Sequence, residues 1–236
     1  MSKPRFLTPE LIARTALELG DRSGEKAMTM RRIASELGCD PMALYRHFRS
    51  RELLLDAVAD LAVADAADPD PDLAWDERIT AAAHAIRAAA LGHPGISFHI
   101  ASRPPMGENG RRLGAAMLTA LDEAGMTPVT AVRSVQTLVA YLASSLAMAV
   151  HAGVRDERWE EVRDVVSELP EADAPGEELF VVGSAEQFRF GLRLLLAGIE
   201  VEAATESAAK AKTDTDTDTE TNTGPASTST SEAKDR

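Results

Sequence analysis

The stretch TMRRIASELGCDPMALYRHFRSRELLLD, residues 29–56, decides the fold. Thr29 is a hydroxyl cap placed just before a helical pattern, with Met30, Ile33, Ala34 and Leu37 on one face and Gly38 as its C-terminal stop. A new helix starts at once. Asp40 caps it, Pro41 takes its first position, and Leu44 and Phe48 lie one turn apart on the inner face. The joint Gly38–Cys39–Asp40 is too short for anything but a sharp crossing, and Ala34 is small where the two helices must approach. This is the geometry of a helix-turn-helix. Met42, Tyr45 and Arg46 are left on the outer face of the second of these helices, with His47 beside them and Pro41 and Ala43 near its start. A short helix presenting a phenol and a guanidinium suits the DNA major groove. Arg31 and Arg32 stand at the start of the preceding helix, where a phosphate backbone would pass. Ser50, with Leu53 and Leu54, opens a further helix to about residue 65, flanked at its start by Arg49 and Arg51.

Upstream, Thr8-Pro9-Glu10 combines a hydroxyl cap, a proline at the first helical position and an acid in the first turn. Downstream, ADAADPDPDL (64–73) breaks the pattern, because proline disfavours helix at the preceding residue. Helices are then expected from Trp75 to the Gly-His-Pro break at 92–94, at about 96–102, from about 108 to 124, from Pro128 to about 153, at 156–169 and from about 184 to 203. Residues 170–178 read as a loop. The reading is therefore all-α: a three-helix helix-turn-helix DNA-binding domain over 1–56, a connecting helix at about 50–65, and a helical ligand-binding and dimerisation domain over 66–203. The acidic, Thr-rich segment 204–236 has almost no large apolar residues to offset ordering entropy, so it is expected to be disordered.

Charge follows the same division. The 236 residues carry a formal charge of −13. Residues 1–56 hold ten Lys/Arg against eight Asp/Glu, which leaves −15 on the rest. A slightly basic head on an acidic body suits a protein that offers one end to a polyanion. It argues against an architectural DNA protein, which would be basic throughout. No apolar run approaches the roughly 20 residues of a membrane span, and Glu10 and Arg14 interrupt any signal-peptide core. The expected location is the cytoplasm. A single cysteine, Cys39, excludes an intramolecular disulfide and a Cys-cluster metal site. No His/Asp/Glu spacing makes a metal site, so no metal and no cofactor are expected. Neither a nucleophile elbow, a P-loop nor a dinucleotide-binding glycine pattern is present, so no enzyme is expected.

The run 29–56 resembles the tetracycline-repressor (TetR) family of bacterial transcription regulators. The resemblance rests on the Ile33-Ala34 pair, Leu37-Gly38 before the turn, Leu44-Tyr45, His47-Phe48, then the basic residue and Leu-Leu of the next helix. The body is similar to the family's tetracycline-repressor-type regulatory domain through Trp75, Gly92-His93-Pro94 and FRFGLRLLLAGIE (188–200). This implies a homodimer that represses transcription until a small molecule binds the body, with a ligand-dependent activator as the alternative. It implies DNA contacts at Pro41, Met42, Ala43, Tyr45, Arg46 and His47, at Thr29 and Arg31, and at Arg51, which matches a family lysine. Met42 and Ala43 stand where the prototype has polar groups, so the operator should differ. The prototype's drug-chelate residues are not recognisable, and Ala67 stands near a position where it uses an imidazole, so neither tetracycline nor magnesium is expected.

Two further expectations concern the body. Helix 128–152 is apolar nearly all round and should be covered on every side. The last helix has Phe188, Leu192, Leu195 and Ile199 on one face and Phe190, Leu194, Ala197 and Val201 on another, and the second face needs a partner subunit. The homodimer should therefore form through helices 128–152 and 184–203. For the effector site, the polar residues embedded among apolar ones are His84, His99, Arg103, Gln136 and Tyr141, with Met106 and Met117 as adaptable wall. The one-turn pair His99–Arg103 is the expected anchor for an anionic or carbonyl group. The effector itself is unknown from sequence.

Overall fold

The structure, a computed structural model, describes residues 7–151, 157–168, 179 and 181–221. The described chain is helical throughout, without a strand. Its helices are α1 (Pro9–Ser23), a 3-10 turn (Glu25–Ala27), α2 (Met30–Leu37), α3 (Pro41–Tyr45), α4 (Arg51–Ala62), α5 (Trp75–Gly92), α6 (Ser97–Ser102), α7 (Glu108–Glu123), α8 (Pro128–His151), α9 (Glu157–Ser167) and α10 (Ala185–Thr221). No described helix is long and apolar enough to cross a membrane. The expected loop at 170–178 and the tail from 222 onward lie outside the described residues.

The caps form locally, as their residue types demand. Thr8 accepts the N–H of Leu11 at 3.2 Å, Thr29 that of Arg32 at 3.3 Å, Asp40 that of Met42 at 2.7 Å, and Ser50 that of Leu53 at 3.2 Å. Each satisfies a donor that the first helical turn cannot. Gly38 closes α2 in the left-handed region, at φ 65° and ψ 33°. That conformation brings the Cys39 N–H back to the Ala34 carbonyl at 3.0 Å, which turns the chain sharply into α3.

Two apolar clusters build the molecule. The first gathers Ile12 and Leu19 of α1, Ile33 of α2, Leu44 of α3 and Leu54 and Leu55 of α4, then continues along α4 through Val58, Ala62 and Val63 to Ile96, Ile100 and Leu113. Helix α4 thus belongs to both the head and the body. The second joins α5, α7, α8 and α10 around Ile79, Met117, Leu121, Leu138, Phe188 and Leu192. Phe188, Leu192 and Ile199 are buried as expected, whereas Phe190, Leu194 and Val201 on the other face of α10 are exposed. On α8 the expectation of cover on every side fails within one chain. Val129, Val132 and Val150 stay exposed, because α5, α6, α7 and α10 reach only part of its circumference.

The last helix also runs further than its apolar pattern, which ends at 203. Helix α10 continues to Thr221. The segment AATESAAKAK is rich in strong helix formers. Glu206 is also held from outside the helix: its carboxylate accepts the Thr127 N–H and hydroxyl, each at 2.9 Å, and the Thr130 hydroxyl. A carboxylate at the N-terminus of α8 satisfies orphan donors and favours the helix dipole. These hydrogen bonds, that to Thr130 foremost, hold the Glu206 pKa below the ordinary carboxylate value. Composition alone therefore assigned disorder too early along the chain.

Candidate functional site

The outward surface of the head is built by the packing beneath it. Leu44 and Phe48 are buried, which turns the opposite side of α3 and its following turn to solvent. Met42 is 66% exposed and Tyr45 43%, and Arg46 and His47 are exposed beside them. Pro41 and Ala43 are half-buried at the helix start. Thr29 and Arg31 are exposed at the beginning of α2, so all nine residues singled out for DNA contact, the half-buried Arg51 included, are open or half-open on the head. Arg51 is turned inward. Its Nε donates to the Met28 carbonyl at 3.0 Å and Nη2 to the Glu25 carbonyl at 3.2 Å, with the Glu25 carboxylate at 3.6 Å. Arg51 bolts α4 to the 3-10 turn that precedes α2 and so sets the crossing of the head, while Arg49 remains exposed.

In the body, an apolar cavity with about 630 Å³ of empty space, mouth included, lies between α4, α5, α6, α7 and α8. Val63, Ile100, Leu113, Met117, Leu142 and Leu146 are among its walls, and among the described residues Arg87 of α5 is the one charged side chain lining it. Of the seven residues expected at an effector site, only Met117 lines this cavity. His84 stands edge-on to Phe188, with ring centroids 5.2 Å apart. Burial, aided by Arg189 and Arg87, lowers its pKa. Tyr141 stacks on the same ring and donates its hydroxyl to the Phe188 carbonyl at 2.8 Å; burial raises its pKa. Gln136 and Met106 are exposed, away from the cavity.

The pair His99–Arg103 does hold an anion, but that anion is Asp56 of α4. The His99 Nε2 lies 2.9 Å from Asp56 Oδ1. Arg103 grips the same carboxylate with two bonds, Nε to Oδ1 at 2.9 Å and Nη2 to Oδ2 at 2.7 Å. These bonds, Arg103 foremost, hold the Asp56 pKa below its ordinary value, against the opposing effect of burial. One turn on, Asp60 accepts the N–H groups of Asn109 and Gly110 at 3.1 and 2.9 Å, so α4 caps the start of α7. Further on, Arg112 of α7 pairs with Asp68 and donates to the Ala66 carbonyl at 3.0 Å. The segment 103–110 therefore faces two ways. Pro104, Pro105 and Gly110 line the cavity, while Arg103, Asn109 and Gly110 hold α4.

Known proteins share this fold. The family model described as "Tetracyclin repressor-like, C-terminal domain" matches residues 68–203, and that of "Bacterial regulatory proteins, tetR family" matches residues 12–58. The chain belongs to the TetR family. Among TetR relatives, the tetracycline repressor protein class A from transposon 1721 of Escherichia coli is 32% identical over 154 residues, covering 64% of this chain and 70% of its own. A TetR family transcriptional regulator from Streptomyces coelicolor A3(2) has the same fold with a TM-score of 0.68 at 30% identity, covering 82% of this chain and 99% of its own. BioQ, solved with its double-stranded DNA operator, gives a TM-score of 0.61 at 26% identity over 82% of this chain and 98% of its own.

In this TetR-type fold, the residues that sequence reasoning missed are Arg87 of the body and Asp56 and Asp60 of α4. Signals for them existed. Arg87 is the one charge in the apolar run 81–91, and Asp56 and Asp60 are one turn apart within the otherwise apolar stretch 53–63. The chain is a TetR-like transcription regulator, all-helical, with a helix-turn-helix head and a helical body.

Proposed function

We propose that this protein is a repressor that binds a palindromic operator as a homodimer and is released by a small molecule. The observation that carries the reading is the sorted α3, with Leu44 and Phe48 buried beneath an open face of Met42, Tyr45, Arg46 and His47. Arg46 can donate two bonds to a guanine edge, and Met42 and Ala43 can touch a thymine methyl. Arg31 and Arg49 would meet phosphates. Arg51 positions the head from within. The similarity to tetracycline repressors supports repression, and that to BioQ supports an operator as partner.

The open apolar faces of α8 and α10 support a partner subunit, since a contiguous apolar surface is normally covered. A two-fold dimer would carry its two α3 helices about one DNA turn, roughly 34–36 Å, apart. For release, a ligand in the cavity would press on Pro104 and Pro105, whose neighbours Arg103 and Asn109 hold α4. Only a ligand with unequal affinity for the two head spacings shifts the equilibrium.

Selection of bound fragments from random duplex DNA tests the reading. An inverted repeat with half-sites about ten base pairs apart is expected. An asymmetric site, or none, contradicts the palindromic operator. Operator affinity unchanged across a broad metabolite panel counts against ligand release.

A further inference from the structure

Among the described residues, the side chains of the cavity wall are apolar apart from one. Arg87 lies midway along α5, with its guanidinium carbon 5.2 Å from the centroid of the Phe188 ring. Its Nη2 donates to the Gly183 carbonyl at 2.8 Å. Its Nε is buried and has no hydrogen-bond partner among the described residues. Burial lowers the Arg87 pKa, with Tyr141 opposing. Among the described residues no carboxylate pairs with the half-buried Arg87, whereas Arg78 of the same helix, whose Nε is likewise without a partner among them, is paired with Glu123. Arginine has donors only. A buried donor left unmade is costly, and one made to an anion is among the stronger hydrogen bonds. A purely apolar ligand would desolvate Arg87 further and offer nothing in return.

We propose that the effector is an amphipathic organic anion: an apolar body that fills the cavity, and one carboxylate, phenolate or sulfonate that Arg87 neutralises. This rests on the reading of the cavity as the effector site. It transfers the anchoring role from His99–Arg103, whose donors already hold Asp56, to Arg87.

Two fluorescent probes of one skeleton separate the possibilities: anilinonaphthalene sulfonate and its uncharged parent, phenylnaphthylamine. Both are titrated into the full-length protein and into three variants, Gly114→Phe, Arg87→Gln and Arg87→Lys, with thermal unfolding as the control for folding. Gly114 lines the cavity and a Cβ there meets nothing within 4 Å, so a phenylalanine side chain enters free space and blocks it. The sulfonate is expected to bind the native protein more tightly than its parent, by roughly tenfold or more. Gly114→Phe should abolish the binding of both. Arg87→Gln should remove the sulfonate's advantage without weakening the parent, whose binding no longer desolvates a charge, and Arg87→Lys should restore part of that advantage.

If Gly114→Phe removes both probes but the native protein binds them equally, the anion inference fails and the cavity stands. If the advantage survives Arg87→Gln, the inference fails in the same way. If neither probe responds to Gly114→Phe, the effector-site reading fails, and the inference with it. Should Arg87→Gln not fold, the ratio of the two probes in the native protein decides alone.

Discussion

Gly95 sits where the turn after α5 crosses the end of α1, and a Cβ at that position would lie 2.3 Å from the backbone of Gly20. Neither backbone can yield without separating head from body. Gly95→Ala is therefore expected to lower stability by roughly 1–3 kcal/mol in denaturant unfolding, although the added methyl is apolar and the site is buried. Beside it, His93 Nδ1 lies 2.8 Å from Asp21 of α1, so this crossing has a polar clasp as well. At this scale, what could be read from sequence was what is local. Thr8, Thr29, Asp40 and Ser50 cap because the donors they satisfy lie two or three residues away. His99 and Arg103 were recognisable as a pair one turn apart, but their acid, Asp56, is more than forty residues distant, and no spacing rule reaches that far. The partners of Arg51 were out of reach for the same reason. Its place at a helix start suggests a phosphate contact, while the carbonyls of Met28 and Glu25 that hold it depend on the tertiary crossing.

Helix α4 is the element through which the two halves meet. Its apolar face runs unbroken from the head core into the body, and Asp56 and Asp60 fasten α6 and the start of α7. Since hydrogen bonds depress the Asp56 pKa, its contribution is present above the ordinary carboxylate range and is lost as pH falls through the lowered value. The native protein should be more stable than Asp56→Asn at neutral pH, and the gap should close as pH drops below about 4. Denaturant midpoints measured across that range check this; a gap independent of pH contradicts it. If α4 carries the message from cavity to head, Asp56→Asn should also change operator affinity without touching DNA. The element boundaries were legible wherever caps and glycine stops mark them. The continuation of α10 was not, because Glu206 takes its helix-stabilising partners from Thr127 and Thr130 on another element. Glu206→Gln should lower stability modestly while leaving the head unaffected in operator binding.

For the whole molecule, the apolar interior gathers into two clusters, and the first of them runs along α4 from the helices of the head to α6 and α7, which a charge count cannot show. The open faces of α8 and α10 set the expected assembly. Leu194 is 58% exposed on a single chain, so Leu194→Asp should leave that chain folded and abolish the dimer in sedimentation, with operator affinity down by roughly a hundredfold or more as two-headed binding is lost. A dimer that tolerates aspartate there would place the interface elsewhere. The claim on which everything depends is that the open side of α3 reads base edges. It is tested most directly by titrating the selected operator, and an unrelated duplex, with the native protein, Tyr45→Ala and Arg46→Ala, while circular dichroism monitors the fold. Both variants should keep native helicity and weak binding to the unrelated duplex, and should lose about 1–3 kcal/mol, roughly ten- to a hundredfold or more, on the operator. Full operator affinity in natively folded Tyr45→Ala and Arg46→Ala would contradict the account.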